Sequence, residues 1–155
     1  MALTKSGFDP WQVSYSFEQV DGDYRGKLEI ESEMDGRILS DYAQLQGNLK
    51  MVELPAGDYR ITGWELRRWM TVRRSTVPLN IRFRVYPKKY TYAGELNLDT
   101  GNARILEVGS ARVSLQVKAG AERDIQHIQR NYPDVDFRHF RIRQMEFRIP
   151  AASVQ

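Results

Sequence analysis

The chain has 155 residues, of which 41% are hydrophobic and 28% charged, and it contains no cysteine. A chain of this length suits a single domain, here residues 1–155, because it buries enough surface to be stable without disulfides. The lack of cysteine excludes disulfides, thiolate nucleophiles and cysteine-based zinc sites. We find neither a signal peptide nor an apolar run of transmembrane length, and expect a cytosolic protein or an exported one whose signal was removed.

Charge is distributed unevenly along the chain, although the net charge is only +3. Residues 1–58 carry 5 basic and 11 acidic side chains, whereas residues 59–89 carry 9 basic and 1 acidic side chain. An acidic first third followed by a basic middle predicts a surface with a strongly positive region.

The first predicted elements form a hairpin. Residues 11–17 alternate apolar and polar side chains, which is the pattern of a strand with one buried face. Asp21-Gly22-Asp23 supplies a turn, and Leu28 and Ile30 resume the alternation on a second strand. We interpret residues 46–48 as a further turn, before a short strand.

The next segment begins with Leu54-Pro55-Ala56-Gly57-Asp58-Tyr59, a turn that leads into a strand. Along that strand Tyr59 and Ile61 share one parity but Trp64 and Leu66 the other, which predicts a β-bulge at Gly63–Trp64. Alternation predicts further strands over residues 79–85 and 90–98, with two more at 105–108 and 113–117.

One segment changes to a helical period. Ala121, Ile125, Ile128 and Tyr132 form one apolar face, and Asn131 and Pro133 are stop signals, so we predict a helix over about residues 120–131. The other elements are short and separated by frequent turns. The sequence therefore predicts an all-β protein, an antiparallel β-sandwich of about eight to ten strands with this single helix.

Two stretches resemble known families. Residues 54–61, Leu-Pro-Ala-Gly-Asp-Tyr-Arg-Ile, resemble the turn and strand of transthyretin-like and carboxypeptidase-regulatory-like β-sandwich domains. Phe83-x-Val85 with Tyr92-x-Gly94-x-Leu96 is similar to a segment of uncharacterised bacterial envelope lipoproteins. The resemblance implies an extracytoplasmic, non-catalytic domain, and it carries over no functional residue.

The most distinctive local feature mixes arginine with tryptophan. Guanidinium groups next to indole rings bind phosphates, bases or anionic surfaces, although such a segment is more often a solvated strand face. Arg82 and Arg84 alternate with Ile81 and Phe83, which predicts that they join the same surface. The candidate binding residues are Trp64, Arg67, Arg68, Trp69, Arg73, Arg74, Arg82, Arg84 and Tyr86.

Catalytic signals are weak. Glu29, Glu31 and Glu33 alternate along one strand and could act as acid and base or bind a cation, but such a row is more often an exposed edge. His127 and His139 have no second histidine at metal-ligand spacing. We therefore predict no enzyme activity, no metal and no cofactor.

The leading hypothesis is a non-enzymatic interaction or ligand-binding β-sandwich module of the bacterial cell envelope, such as the soluble part of a lipoprotein in the periplasm. A cytoplasmic location is the alternative. The expected partner is a protein or an anionic surface. A second hypothesis is a binder of polyanions, either nucleic acid or anionic lipid, through the basic residues 60–89. However, the chain has no RNA-binding aromatic motif or helix-turn-helix signal. A third is a hydrolase that uses the carboxylate row.

Overall fold

The computed structural model describes residues 1–6, 12–31, 40–42, 46–68, 70–76, 78–99, 114–118, 120–143 and 145–147. This part of the chain is mostly strand with a single α-helix, which confirms the all-β class. The predicted strand at 105–108 lies outside the described residues. The elements are β1 Ala2–Ser6, β2 Gln12–Gln19, β3 Arg25–Glu29, β4 Gln46–Leu49, β5 Gly57–Arg68, β6 Thr71–Arg74, β7 Ile81–Val85, β8 Tyr90–Tyr92, β9 Glu95–Asp99, β10 Ser114–Lys118, α1 Ala121–Asn131, the 3-10 helix Phe137–His139, β11 Phe140–Ile142 and β12 Glu146–Phe147.

The larger sheet has six strands in the order β12-β7-β5-β2-β3, and β6 also pairs with β5. The predicted hairpin is present, because β2 pairs antiparallel with β3. The β2–β5 register shifts between Ser16, opposite Gly63, and Phe17, opposite Ile61. Thr62 is therefore the extra residue, so the predicted bulge exists and lies one position earlier than expected.

The smaller sheet has four strands in the order β10-β9-β1-β4, and β11 with β8 forms a separate pair. The expectation of a wholly antiparallel fold was wrong, since β1–β9 and β11–β8 are parallel pairs. Both pairs join strands far apart in the chain, which parallel pairing requires because its connection must cross over. The described residues contain twelve strands, more than predicted, because β1 was not recognised and β8, β11 and β12 have only two or three residues.

The prediction of a turn at residues 46–48 was wrong, because Gly47 belongs to a strand. It lies inside β4 opposite Thr4, where an added Cβ would stand 2.2 Å from the Leu3 carbonyl oxygen and 2.8 Å from the Thr4 Cα. Glycine is required at this position because the two backbones approach closely. From the sequence alone, such a glycine cannot be distinguished from one in a turn.

The first hydrophobic cluster takes side chains from both sheets. Leu3, Leu96 and Leu98 of the four-stranded sheet belong to the same buried cluster as Tyr15 and Tyr59 of the six-stranded sheet. Burying a leucine fully contributes about 1.5–3 kcal/mol, so this shared cluster is the main source of stability in the described residues.

A second, smaller cluster involves the helix. Ile128 of α1 packs with Ala2, Leu49 and Tyr92. The predicted helix is thus confirmed and covers part of the four-stranded sheet. Its other fully covered residue is Asp124, which is 0% exposed and makes this interface partly polar. No helix in the described part of the chain is long and apolar enough to cross a membrane.

Candidate functional site

A cavity of about 860 Å³ opens where the chain passes from β4 to β5. Its walls come from residues 49–56, the turn between β7 and β8, and the segment that contains the 3-10 helix and the start of β11. Most of the lining side chains are apolar. They are Met1, Phe17, Leu28, Leu49, Met51, Val52, Leu54, Ala56, Phe83, Val85, Pro87, Ala93, Ile128 and Phe140, with Tyr86, Tyr90 and Tyr92.

Both hydrophobic clusters reach this cavity. Phe17 and Phe83 belong to the first cluster, and Tyr92 and Ile128 belong to the second. These side chains are held in place by the packing of the sheets and the helix. The cavity wall is therefore rigid where it meets the cores, which favours a preformed site.

The rim of the cavity exposes apolar side chains. Met51, Val52 and Tyr90 are 43%, 53% and 41% exposed. Single exposed hydrophobic residues are common on protein surfaces, but three at the edge of one concave surface are less so. Tyr86, which was among the predicted binding residues, is half-buried and lines the same cavity.

The lining also contains charged groups, some of which are neutralised within the protein. Lys50 donates to Glu31. Asp136 accepts two bonds from the Arg138 guanidinium at 3.0 Å, and these bonds lower the pKa of that carboxyl to about 2. His139 Nδ1 lies 3.1 Å from the same carboxylate.

Three lining charges remain without such a partner. Lys88, Lys89 and Glu53 form no ion pair with any residue in the described ranges. Lys88 adopts a backbone φ of +53° in the β7–β8 turn. That conformation is unfavourable for a residue with a Cβ, so lysine is an unexpected choice there.

A buried polar network lies behind the cavity wall. Asp124 accepts hydrogen bonds from the Tyr92 hydroxyl, from the Tyr42 hydroxyl at 2.9 Å and from Arg123 Nε at 2.7 Å. Burial, with Asp124 nearby, raises the pKa of both tyrosines. Both hydroxyls therefore remain protonated donors at neutral pH. Tyr92 also lines the cavity, so this residue belongs to both the cavity wall and the network.

Arg123 links this network to the four-stranded sheet. It donates to Glu95 Oε2 at 2.9 Å and lies over the Tyr42 ring, 4.4 Å from its centroid. Burial alone lowers the pKa of Arg123, but hydrogen bonds to Asp124 and Glu95 outweigh it and raise that pKa overall. Glu95 also accepts from Thr4 Oγ1 at 2.6 Å.

Sequence reasoning missed this network. A place in the first helical turn explains an aspartate at position 124 without any buried contact, and no sequence pattern predicted that Glu95 and Asn97 are buried. In the structure both faces of the strand Glu95-Leu96-Asn97-Leu98 are covered, which explains the burial of its polar side chains.

The predicted arginines are only partly together. Arg67, Arg74, Arg82 and Arg84 share the outer side of the six-stranded sheet, as their register shows. Arg73 is opposite Leu66 and so lies on the other side of the sheet. The Arg68 side chain and Trp69 lie outside the described residues.

Trp64 is separated from the outer arginines. It is opposite Tyr15 in the register and packs against the first hydrophobic cluster. The interleaved guanidinium and indole surface that the sequence suggests is therefore divided at this residue between core and solvent.

Carboxylates offset several of the outer arginines. Glu65 accepts from Arg74 Nε at 2.8 Å and from Arg67 at 3.1 Å, and Lys27 lies 4.0 Å away. Arg84 Nε donates to Asp58 at 2.6 Å. The bond from Arg74 is the main cause of a lowered pKa for Glu65. The single acidic residue of the basic region thus accepts hydrogen bonds from two arginines and forms a longer ion pair with Lys27.

The carboxylate row partly lines a second, more polar cavity of about 500 Å³. Glu29 and Glu31 line it with Glu65 and Arg67, while Glu33 lies outside the described residues. The hydrogen bond from Lys50 lowers the pKa of Glu31. Within the described ranges, no three histidine, aspartate or glutamate side chains are grouped to hold a metal ion. His127 is half-buried beside Tyr42, with 5.8 Å between ring centroids.

Comparison of the chain with protein-family models, with curated proteins and with solved structures finds no match. The candidate site therefore has to be interpreted from its own geometry. The apolar cavity is a feature of that geometry that can hold a ligand.

Proposed function

We propose that this protein is a non-enzymatic β-sandwich module that binds a small, largely apolar ligand in the 860 Å³ cavity. The observation that carries the proposal is the cavity itself. Its volume lies in the range of roughly 300–1,000 Å³ that is usual for ligand sites, and its lining is mainly apolar with few polar groups, as in most such sites.

The exposed apolar side chains at the rim supply a driving force for ligand binding. Met51, Val52 and Tyr90 each leave apolar surface in water. A ligand that covers this surface gains about 25 cal/mol for each Å² of apolar area removed from water. Binding should therefore show a negative heat-capacity change, the thermodynamic mark of apolar burial.

The sandwich arrangement is part of the same proposal. The shared first cluster supports it, because side chains of the four-stranded and six-stranded sheets pack into one core. In a sandwich, an opening at one end of that core would be a natural place for a cavity.

The test uses a neutral fluorescent probe, N-phenyl-1-naphthylamine, titrated into the purified protein. We expect saturable binding with a fluorescence increase. Ala56 is exposed and lines the cavity, so Ala56→Trp should obstruct the site and weaken binding without affecting folding. Thr71→Trp on β6 is the matched control, since Thr71 is exposed and does not line the cavity. Equal binding by both variants, or no binding by the wild type, would contradict the proposal.

The cell-envelope location also belongs to the proposal and rests on the resemblance of residues 54–61 to transthyretin-like domains. Fractionation of the source cells tests it: recovery in the periplasm or envelope supports it, and recovery in the cytoplasm contradicts it. The polyanion and hydrolase hypotheses stay predictions. Ion pairs from Glu65 and Asp58 weaken the first, and ionised carboxylates held by Arg and Lys give the second no evident general acid.

A further inference from the structure

We infer that the ligand of this cavity is a single-chain amphiphile with a carboxylate head group, and that Lys88 and Lys89 bind the head group. The inference rests on the proposed function, because it needs the cavity to be a binding site. It names the ligand class from the charges at the rim and from the chemistry of the floor.

The lysines are available to a ligand. Neither Lys88 nor Lys89 forms an ion pair with a residue of the described ranges, whereas Lys50, the third lysine of the lining, is already bound to Glu31. Of the two lining carboxylates, Asp136 is neutralised by Arg138, which leaves Glu53. The unneutralised charge around the cavity is therefore positive and favours an anion.

The backbone of the turn adds a second observation. Lys88 follows Pro87 and has φ +53°, in the left-handed region where glycine or asparagine is usually found. Lysine at such a position is a strained choice, and strain of this kind clusters at ligand-binding sites. The turn places two consecutive lysines in the lining of an apolar cavity, an arrangement that suits an anionic head with an apolar tail.

The apolar lining of the cavity favours an apolar tail on the ligand. Phe17, Leu28, Leu49 and Ile128 offer no hydrogen bond, and the Tyr92 hydroxyl already donates to Asp124. The buried Thr91 Oγ1, which has no hydrogen-bond partner among the described residues, adds a single polar atom to this lining. A saccharide needs several convergent polar groups, which these side chains do not supply. An acyl chain needs none, and its burial gains free energy for each methylene that leaves water.

A matched pair of ligands tests the inference. Dodecanoate and dodecanol share one chain and differ in head-group charge, and each is used below its aggregation limit at pH 8 to displace the neutral probe. We expect dodecanoate to compete about fivefold more tightly, the size of effect that a partly exposed ion pair gives. Dodecyl phosphate serves as a third competitor.

Variants assign the head-group contact. Lys88→Gln with Lys89→Gln should reduce dodecanoate affinity about fivefold and leave dodecanol affinity unchanged. Glu53→Gln should act in the opposite direction and strengthen dodecanoate binding. Lys118→Gln is the control, because Lys118 is an exposed lysine on β10, which is not part of the cavity. Lys88→Gly should raise the melting temperature by relieving the backbone strain, and it should weaken dodecanoate binding.

The outcomes separate the two proposals. Equal affinity for dodecanoate and dodecanol overturns the head-group assignment and leaves the apolar site intact. A strong preference for dodecyl phosphate overturns the carboxylate in particular. Failure of the probe itself to bind overturns the proposed function, and with it this inference.

Discussion

The two sheets use charged side chains in opposite ways on their outer sides. On the six-stranded sheet, Glu65 pairs with Arg67 of its own strand and with Arg74 of the neighbouring strand, and both arginine side chains are exposed to solvent. On the four-stranded sheet, Glu95 is buried beneath α1 and pairs with Arg123 of that helix, which also pairs with the buried Asp124. The residue types are the same, but only the second set is covered by another element.

This difference in burial determines how much each set contributes to stability. Exposed ion pairs are screened by water and contribute about 0–1 kcal/mol. Removing one partner of a buried pair costs about 3–5 kcal/mol, because it leaves a charge without compensation. We therefore expect the polar network to hold α1 on the sheet, and the outer ion pairs to set mainly the surface charge.

Substitution of Asp124 should have the largest effect. Asp124→Asn keeps the shape of the side chain but leaves Arg123 without one of its two carboxylates, and we expect a loss of about 3 kcal/mol. Urea unfolding followed by circular dichroism measures it. Glu122→Gln is the control, because Glu122 is exposed in the same helical turn. If the two variants unfold at the same midpoint urea concentration, the network does not anchor the helix.

The tyrosine hydroxyls of the network should matter less. Tyr92→Phe keeps the ring in the second cluster and removes one donor to Asp124, which should lower the free energy of unfolding by about 1–2 kcal/mol. Tyr90→Phe is matched to it, since Tyr90 is on the same strand and exposed. Probe binding should remain in both variants, because each keeps its ring at the cavity. A fully stable Tyr92→Phe protein would argue against a structural role for this hydrogen bond.

The sequence predicted local elements well where one periodicity dominates. The β2–β3 hairpin, the bulge in β5 and helix α1 all follow from the spacing of apolar residues and from turn residues. Prediction from the sequence failed where the structure depends on pairing between residues that are distant in the chain. Nothing local shows that β1 pairs in parallel with β9, or that Gly47 faces the backbone of β1.

The candidate site was harder to predict than the fold. Among the predicted binding residues whose side chains the structure describes, only Tyr86 lines the apolar cavity, because the cavity is formed by segments that no short motif connects. The excess of arginine in residues 59–89 predicted a binding surface, but the strand register places Glu65 opposite Arg74 and Asp58 opposite Arg84. Charge counts along the chain cannot show such pairing, since it depends on which strands are neighbours.

Removing Glu65 should have a small effect on stability and a clearer effect on charge. Its lowered pKa means that it stabilises the fold above its unfolded pKa of about 4.3, and that this stabilisation is lost as pH falls through the folded pKa. Glu65→Gln should therefore cost less than about 1 kcal/mol at pH 7, and the two proteins should converge in strongly acidic solution.

The same variant tests the polyanion hypothesis. In Glu65→Gln, Arg67, Arg74 and Lys27 lose the negative charge that they share. Heparin should therefore bind this variant more tightly than the wild type, and more so at low salt. Glu29→Gln is a suitable control, because Glu29 lies on the same outer side of the sheet. If Glu65→Gln and Glu29→Gln bind heparin with the same affinity at every salt concentration, the basic region is not a docking surface for polyanions.

The smallest effect is expected at Arg82 and Arg84. Both project from the outer side of β7, where Arg84 pairs with Asp58 and Arg82 Nε donates to Asn80 Oδ1 at 3.3 Å. Because water and salt screen such exposed contacts, Arg82→Gln with Arg84→Gln should leave the melting temperature nearly unchanged, and any difference at low ionic strength should vanish in 1 M salt. If this surface docks an anionic partner, the double variant should instead lose affinity for heparin while folding normally. A large fall in melting temperature that persists in high salt would contradict the comparison of the two sheets, since it would give an exposed pair the stability contribution of a buried one.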